Sequence, residues 1–193
     1  MLDAVTYWEI AAALLGIISV ILSARANLWV FPTGMVSVLI YVFICHDIGL
    51  YADMGVNAYY FLMSIYGWYV WSSGSIMKNV RPVAKSTKRD ALLAVLISIA
   101  SFCLLYLILS SWSDSTVPLP DALTTALAIA AMWLMALKRL EHWLFWILTD
   151  VLSIALYAYK GLYFTSIQYL VFTGIAIYGY IDWKKRINTV KRS

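Results

Sequence analysis

Trp143-Leu-Phe-Trp-Ile-Leu-Thr-Asp150 opens an apolar run that continues to Tyr159. A run of that length spans a bilayer when helical. Asp150 lies about two helical turns inside it, where inserting a carboxylate costs roughly 2.5–3.5 kcal/mol. Trp143, Trp146, Asp150 and Tyr157 follow at helical spacings and share one face. Flat aromatic rings beside one negative charge suit a flat, cationic, water-soluble ligand. The plainer reading makes the tryptophans interfacial anchors and Asp150 a packed polar spot. The shared face favours the ligand.

Composition sets the class outward from that stretch. Of 193 residues, 63% are apolar and 12% charged, and the mean hydropathy is +0.82. Soluble domains are about half apolar and a quarter charged, so the chain is predicted to be an all-α integral membrane protein. Its net charge of +4 sits in loops and tail, which gives no reason to expect nucleic acid. Cys45 and Cys103 lie in apolar runs without disulfide or zinc spacing and are expected to be lone buried thiols. Met1-Leu2-Asp3 lacks a basic n-region, so the first apolar run is expected to be retained as a helix.

Seven apolar spans follow in order, near residues 5–22, 28–45, 51–71, 92–109, 122–137, 143–159 and 163–181. A basic linker with Lys78, Arg81, Lys85, Lys88 and Arg89 precedes the fourth. A polar loop with Asp114, Pro118, Pro120 and Asp121 precedes the fifth. Placing the basic linker in the cytoplasm puts thirteen of the fourteen Lys and Arg residues inside, with Lys160 alone outside. That bias requires an odd span count, an external N-terminus and an internal C-terminus.

An internal repeat is visible. Gly49-Leu-Tyr51, Tyr66-Gly67 and Trp71 recur as Gly161-Leu-Tyr163, Tyr178-Gly179 and Trp183, all at an offset of 112. Trp29 and Trp143 open spans two and six in comparable places. Spans one to three therefore repeat as spans five to seven, with span four as connector: residues 1–73, 74–120 and 121–193. One connecting helix makes the halves parallel, a transporter architecture with its site near the midplane. Duplication without transport is the competing reading.

Other polar residues inside the spans extend the candidate site. Span two carries Gly34, Ser37 and Tyr41 on one face, and Pro32 points either to a kink or to a helix entry. Span three carries Asn57 and Tyr60 with Ser64 and Gly67; the Asn57 amide either reads a ligand edge or joins helices. Gln168 in span seven has the same two readings. Span four carries no charge and reads as a linker facing lipid or another subunit. No phosphate-binding loop or hydrolase motif appears. His46 and His142 fall in loops on opposite sides of the membrane, so no metal cluster is expected. Asp150 has no catalytic partner at depth, which argues against an enzyme.

Tyr51-Ala-Asp-Met-Gly-Val-Asn57, Ser64-Ile-Tyr-Gly-Trp-Tyr-Val-Trp71, the Trp143/Trp146/Asp150 spacing and Gly161-Leu-Tyr163 together resemble the Pnu family of bacterial vitamin transporters. The resemblance spans essentially the whole chain. It implies a seven-helix, three-plus-one-plus-three fold similar to the SWEET sugar transporters, a homotrimer in the inner membrane, and facilitated diffusion without a cofactor. Trapping by a cytoplasmic vitamin kinase is implied, without a required complex. It also implies a substrate face at Trp143, Trp146, Asp150 and Asn57. Nicotinamide riboside carriers of the family tend to have Asn where Asp150 stands and Gln where Asn57 stands. Those departures make thiamine the expected cargo, with nicotinamide riboside as alternative and a non-transporting sensor as the rival class. The expected substrate contacts are Ser37, Tyr41, Asn57, Tyr60, Trp143, Trp146, Asp150, Tyr157 and Gln168.

Overall fold

The computed structural model describes residues 4–47, 49–73, 81–112 and 116–190. Lys78 and Asp114 of the expected loops lie outside them. Among the described residues the chain forms seven helices: α1 (Ala4–Ala24), α2 (Val30–Asp47), α3 (Tyr51–Ser72), α4 (Lys88–Trp112), α5 (Pro118–Ala136), α6 (His142–Tyr159) and α7 (Tyr163–Val190). Five of them, α1, α2, α4, α5 and α6, are long and apolar enough to cross a membrane. The other two, α3 and α7, are rich in tyrosine and carry amides, which lower mean hydropathy although tyrosine is at home at membrane interfaces.

Contacts divide the chain into two compact units, Met1–Pro82 with Ala136–Lys138, and Val83–Met135 with Arg139–Ser193. In the first, α1 packs on α2 and α2 on α3. Small residues allow the α1–α2 approach: a Cβ on Gly34 would stand 3.0 Å from Ser19 Oγ. Ser19 Oγ donates to Val30 O (2.9 Å) and Ser37 Oγ to Ala12 O (2.7 Å). Pro32 is in the first turn of α2, where its missing N–H breaks no helical bond; this is the helix-entry alternative. Cys45 is buried, whereas Cys103 on α4 is exposed, contrary to expectation, because α4 is apolar on nearly all sides and buries little of itself.

In the second unit α6 packs on α7, and Ser166 Oγ donates to Ile154 O (2.9 Å). The start of α4 is a reciprocal cap: Asp90 N donates to Thr87 Oγ1 and Thr87 N to the Asp90 carboxylate. That carboxylate also pairs with Arg139 (2.9 Å). Glu141 accepts from both Ser86 N and Ser86 Oγ (2.6 Å each), and Leu140 N donates to Ala84 O (2.8 Å). Together these contacts pin the segment before α4 to the α5–α6 turn.

Several helix ends and turns of the two units correspond at the 112-residue offset. α1 and α5 end at Ala24 and Ala136; Ala26 (φ 54°) and Lys138 (φ 58°) then turn left-handed. α2 and α6 start at Val30 and His142 and end at Asp47 and Tyr159. Gly49 (φ 76°) and Gly161 (φ 75°) make the next turns, in the region glycine enters without strain. Leu50 N→Cys45 O and Leu162 N→Tyr157 O, both 2.8 Å, close those turns. This register corrects one sequence pairing. The mate of Trp143 is Phe31, since Phe31 N→Leu28 O matches Trp143 N→Leu140 O, and Trp29 is an exposed residue before α2.

Each unit is centred on an aromatic ring lying on a glycine. In the first, Phe31 covers Gly67 and meets Trp71 edge-on (4.9 Å, 85°). Lys138 Nζ sits 4.2 Å above the Trp71 ring, and a Cβ on Gly67 would also stand 3.2 Å from Ala136 Cα. In the second, Trp143 covers Gly179 and meets Trp183 edge-on (5.8 Å, 88°). A Cβ on Gly179 would lie 2.5 Å from Trp143 Cζ2. Trp143 and Trp183 are both fully buried and have no room to retreat. Gly179→Ala is therefore expected to destabilise the detergent-purified protein by roughly 1–3 kcal/mol. Scanning fluorimetry would show this as a lowered melting temperature, and Gly174→Ala, with open space at its Cβ, as no comparable change.

Candidate functional site

α6 carries the most polar interior of any helix in the second unit. Its buried residues include His142, Thr149, Asp150 and Ser153 beside Trp143 and Leu156. His142, Thr149 and Ser153 follow at seven- and four-residue steps with half-buried Trp146 between them, so they line one face. Asp150 is 5% exposed. Four ion pairs occur among the described residues, and none includes Asp150. Its carboxylate therefore does not face outward, and no lysine or arginine among the described residues neutralises it.

Three further polar atoms on α6 are buried without a partner among the described residues: His142 Nε2, Trp143 Nε1 and Thr149 Oγ1. His142 was expected in a loop, yet it is the first residue of α6 and fully buried. It is held by Arg139 O, 2.6 Å from Nδ1. With Nδ1–H donating there, Nε2 of the neutral ring is an acceptor. Buried polar groups are nearly always paired, so such a cluster needs a physical reason.

The expected site residues separate into two kinds. Trp143 is packed between Gly179, His142 and Trp183; its interactions are those of a core residue. Trp146 is half-buried. Tyr157 stacks on Tyr169 of α7 (5.2 Å, 18°), with Lys160 Nζ 5.6 Å above its ring. Lys160 is in turn clasped by both carboxylate oxygens of Asp121 (2.6 and 2.9 Å). Gln168 is half-buried on α7. In the first unit, Ser37 is tied to α1, Asn57 Nδ2 donates to Asp53 O of its own helix (2.9 Å), and Tyr60 contacts Tyr59 (5.8 Å). Tyr41 is half-buried. Thr149 and Ser153 were not singled out from sequence and His142 was read only as a loop residue, although their spacing with Trp146 was there to be counted.

A helical membrane protein with unpaired polar groups and a lone carboxylate inside one helix has the makings of a small-molecule carrier. Comparison with known proteins gives the family. A family model described as nicotinamide mononucleotide transporter matches residues 6–185. The chain is 24% identical over 200 residues to the nicotinamide riboside transporter PnuC of Escherichia coli, covering 91% of this chain and 84% of that one. It is 27% identical over 182 residues to the riboflavin/roseoflavin transporter RibM of Streptomyces davaonensis, covering 91% and 83%. The crystal structure of the vitamin B3 transporter PnuC superposes with a TM-score of 0.72 at 26% identity, covering 95% and 83%. The chain belongs to the nicotinamide mononucleotide transporter family, that is, to the Pnu vitamin transporters. It is a vitamin transporter, not an enzyme, and a multi-pass protein of the bacterial inner membrane.

The packing separates two tryptophans that sequence treats alike. Trp143→Ala is expected to cost about 3–5 kcal/mol of stability, seen as loss of monodisperse protein by size-exclusion chromatography. Trp146→Ala, at a half-buried ring, is expected to remain monodisperse.

Proposed function

We propose that the chain mediates facilitated diffusion of nicotinamide riboside. The observation that carries this reading is Asp150, a carboxylate 5% exposed and outside every ion pair among the described residues, in a chain whose relatives include nicotinamide riboside transporters. The nicotinamide ring of that vitamin is a flat cation. A buried acid supplies its counter-charge, and a ring such as Trp146 supplies a stacking face. The proposed contacts are Trp146, Asp150, Tyr157 and Gln168 on α6 and α7, whereas Ser37 of α2 is taken up by its bond to α1. Trp143 acts by holding α6 against α7.

Thiamine, favoured from Asp150 and Asn57 alone, gives way to nicotinamide riboside. Both are cations, so the charge does not separate them, and the named relatives carry vitamin B3 compounds or riboflavin. The proposed topology is seven spans in a three-plus-one-plus-three repeat, with an external N-terminus and internal C-terminus. A homotrimer and trapping by a cytoplasmic kinase complete the reading.

Counterflow tests it. Proteoliposomes preloaded with unlabelled nicotinamide riboside, without any ion gradient, should accumulate labelled vitamin transiently. Excess thiamine should compete weakly. No counterflow, or uptake only with an imposed proton or sodium gradient, would refute facilitated diffusion, and stronger competition by thiamine would reverse the substrate order. Set against Asp150→Asn, which gives the residue that nicotinamide riboside carriers tend to have there, Asp150→Leu should weaken nicotinamide riboside binding at least tenfold, because the buried charge and its hydrogen-bonding oxygens are both lost. It should leave any binding of uncharged riboflavin unchanged.

A further inference from the structure

The two units place a hydroxyl at the same register of the same helix and treat it differently. Ser37 on α2 and Thr149 on α6 are 112 residues apart, and both are buried, at 4% and 5% exposure. Ser37 Oγ crosses to α1 and donates to Ala12 O at 2.7 Å. The residue equivalent to Ala12 is Thr124 on α5, yet no bond joins Thr149 to it. Thr149 Oγ1 also makes none of the back-bonds to its own helix that Ser64, Thr124 and Thr173 make to carbonyls four residues earlier. A hydroxyl in that position ordinarily takes such a bond. Left unpaired within a membrane-spanning helix, it is held in the state a hydrogen-bonding ligand would complete.

Its neighbour sharpens the contrast. Asp150 stands where the first unit has Val38, and Trp146 where it has Gly34. The α2 copy has thus lost the charge and the ring and has spent its hydroxyl on α1.

We infer that Thr149 is a substrate-specificity residue beside Asp150, and that α6 reads the cargo while α2, its repeat mate, is a structural copy. This rests on the vitamin-carrier reading above. Asp150 balances a positive charge, and Thr149 pairs with a ligand group able to donate or accept, such as a ribose hydroxyl or a carboxamide. A site with a dedicated polar partner rejects analogues lacking the matching group far more strongly than an apolar wall does.

Thr149→Val keeps the shape and removes the hydroxyl; Ser37→Ala removes its counterpart; Thr149→Ser restores the oxygen. In detergent, Thr149→Val should raise the calorimetric Kd for nicotinamide riboside at least fivefold, with an unliganded melting temperature equal to or above wild type. Thr149→Ser should bind within twofold of wild type. Ser37→Ala should lower the unliganded melting temperature and leave Kd within twofold. Wild-type affinity in Thr149→Val overturns the inference, and so does a lowered unliganded melting temperature, which would show that the hydroxyl has a partner in the fold. If the wild type binds no nicotinamide riboside, the functional reading fails by itself, and the unliganded melting temperature of Thr149→Val still decides whether its hydroxyl is unpaired.

Discussion

The contact on which the second unit depends is an indole packed against a backbone without a side chain. Trp143 covers Gly179 and is closed in by Trp183 and His142. Helices in lipid gain little from the hydrophobic effect against each other, so they associate through close packing and a few hydrogen bonds. A glycine that admits a tryptophan ring provides such packing and permits one register. That register sets which face of α6 turns inward, and with it the depth of Trp146, Thr149, Asp150 and Ser153. Phe31 on Gly67, capped by Trp71 and Lys138, does the same in the first unit.

Built on equivalent scaffolds, the helices diverge in how their polar groups are satisfied. α2 directs Ser37 to α1 and accepts Ser19 against its first turn. α6 keeps an acid and three other polar atoms unpaired among the described residues. In a bilayer an unsatisfied polar group is expensive, because no water relieves it. An expense borne by one copy and removed from the other is what the proposed ligand contacts on α6 would offset. The polar ties around α6 fit this division: Asp121–Lys160 holds its far end, and Arg139, Glu141 and Leu140 fix its near end through Asp90, Ser86 and Ala84.

Much of this was legible in the chain. The helices, the depth of Asp150 and the 112-residue offset of the motifs follow from hydropathy and spacing, because span length and helical period are local properties. Trp29 misled because sequence offers two tryptophans as mates, and only the turn bonds show that Phe31 holds the equivalent place. His142 misled because a histidine beside Lys138-Arg139 looks like part of a solvated turn, while its ring in fact packs against Trp143 and Trp183. Cys103 looked buried because apolar sequence does not tell a core-facing helix from one that buries almost nothing.

Sequence by itself determined a helical membrane protein with motifs that recur at a fixed offset and one acid deep in the sixth helix. Those traits are carried by composition and periodicity. Tertiary structure decided which of two similar tryptophans is fully buried against a glycine, which of two equivalent hydroxyls has a partner among the described residues, and that no ion pair among them includes the acid. Each of these depends on what a neighbouring helix places opposite the residue, and no spacing along one chain segment contains that information.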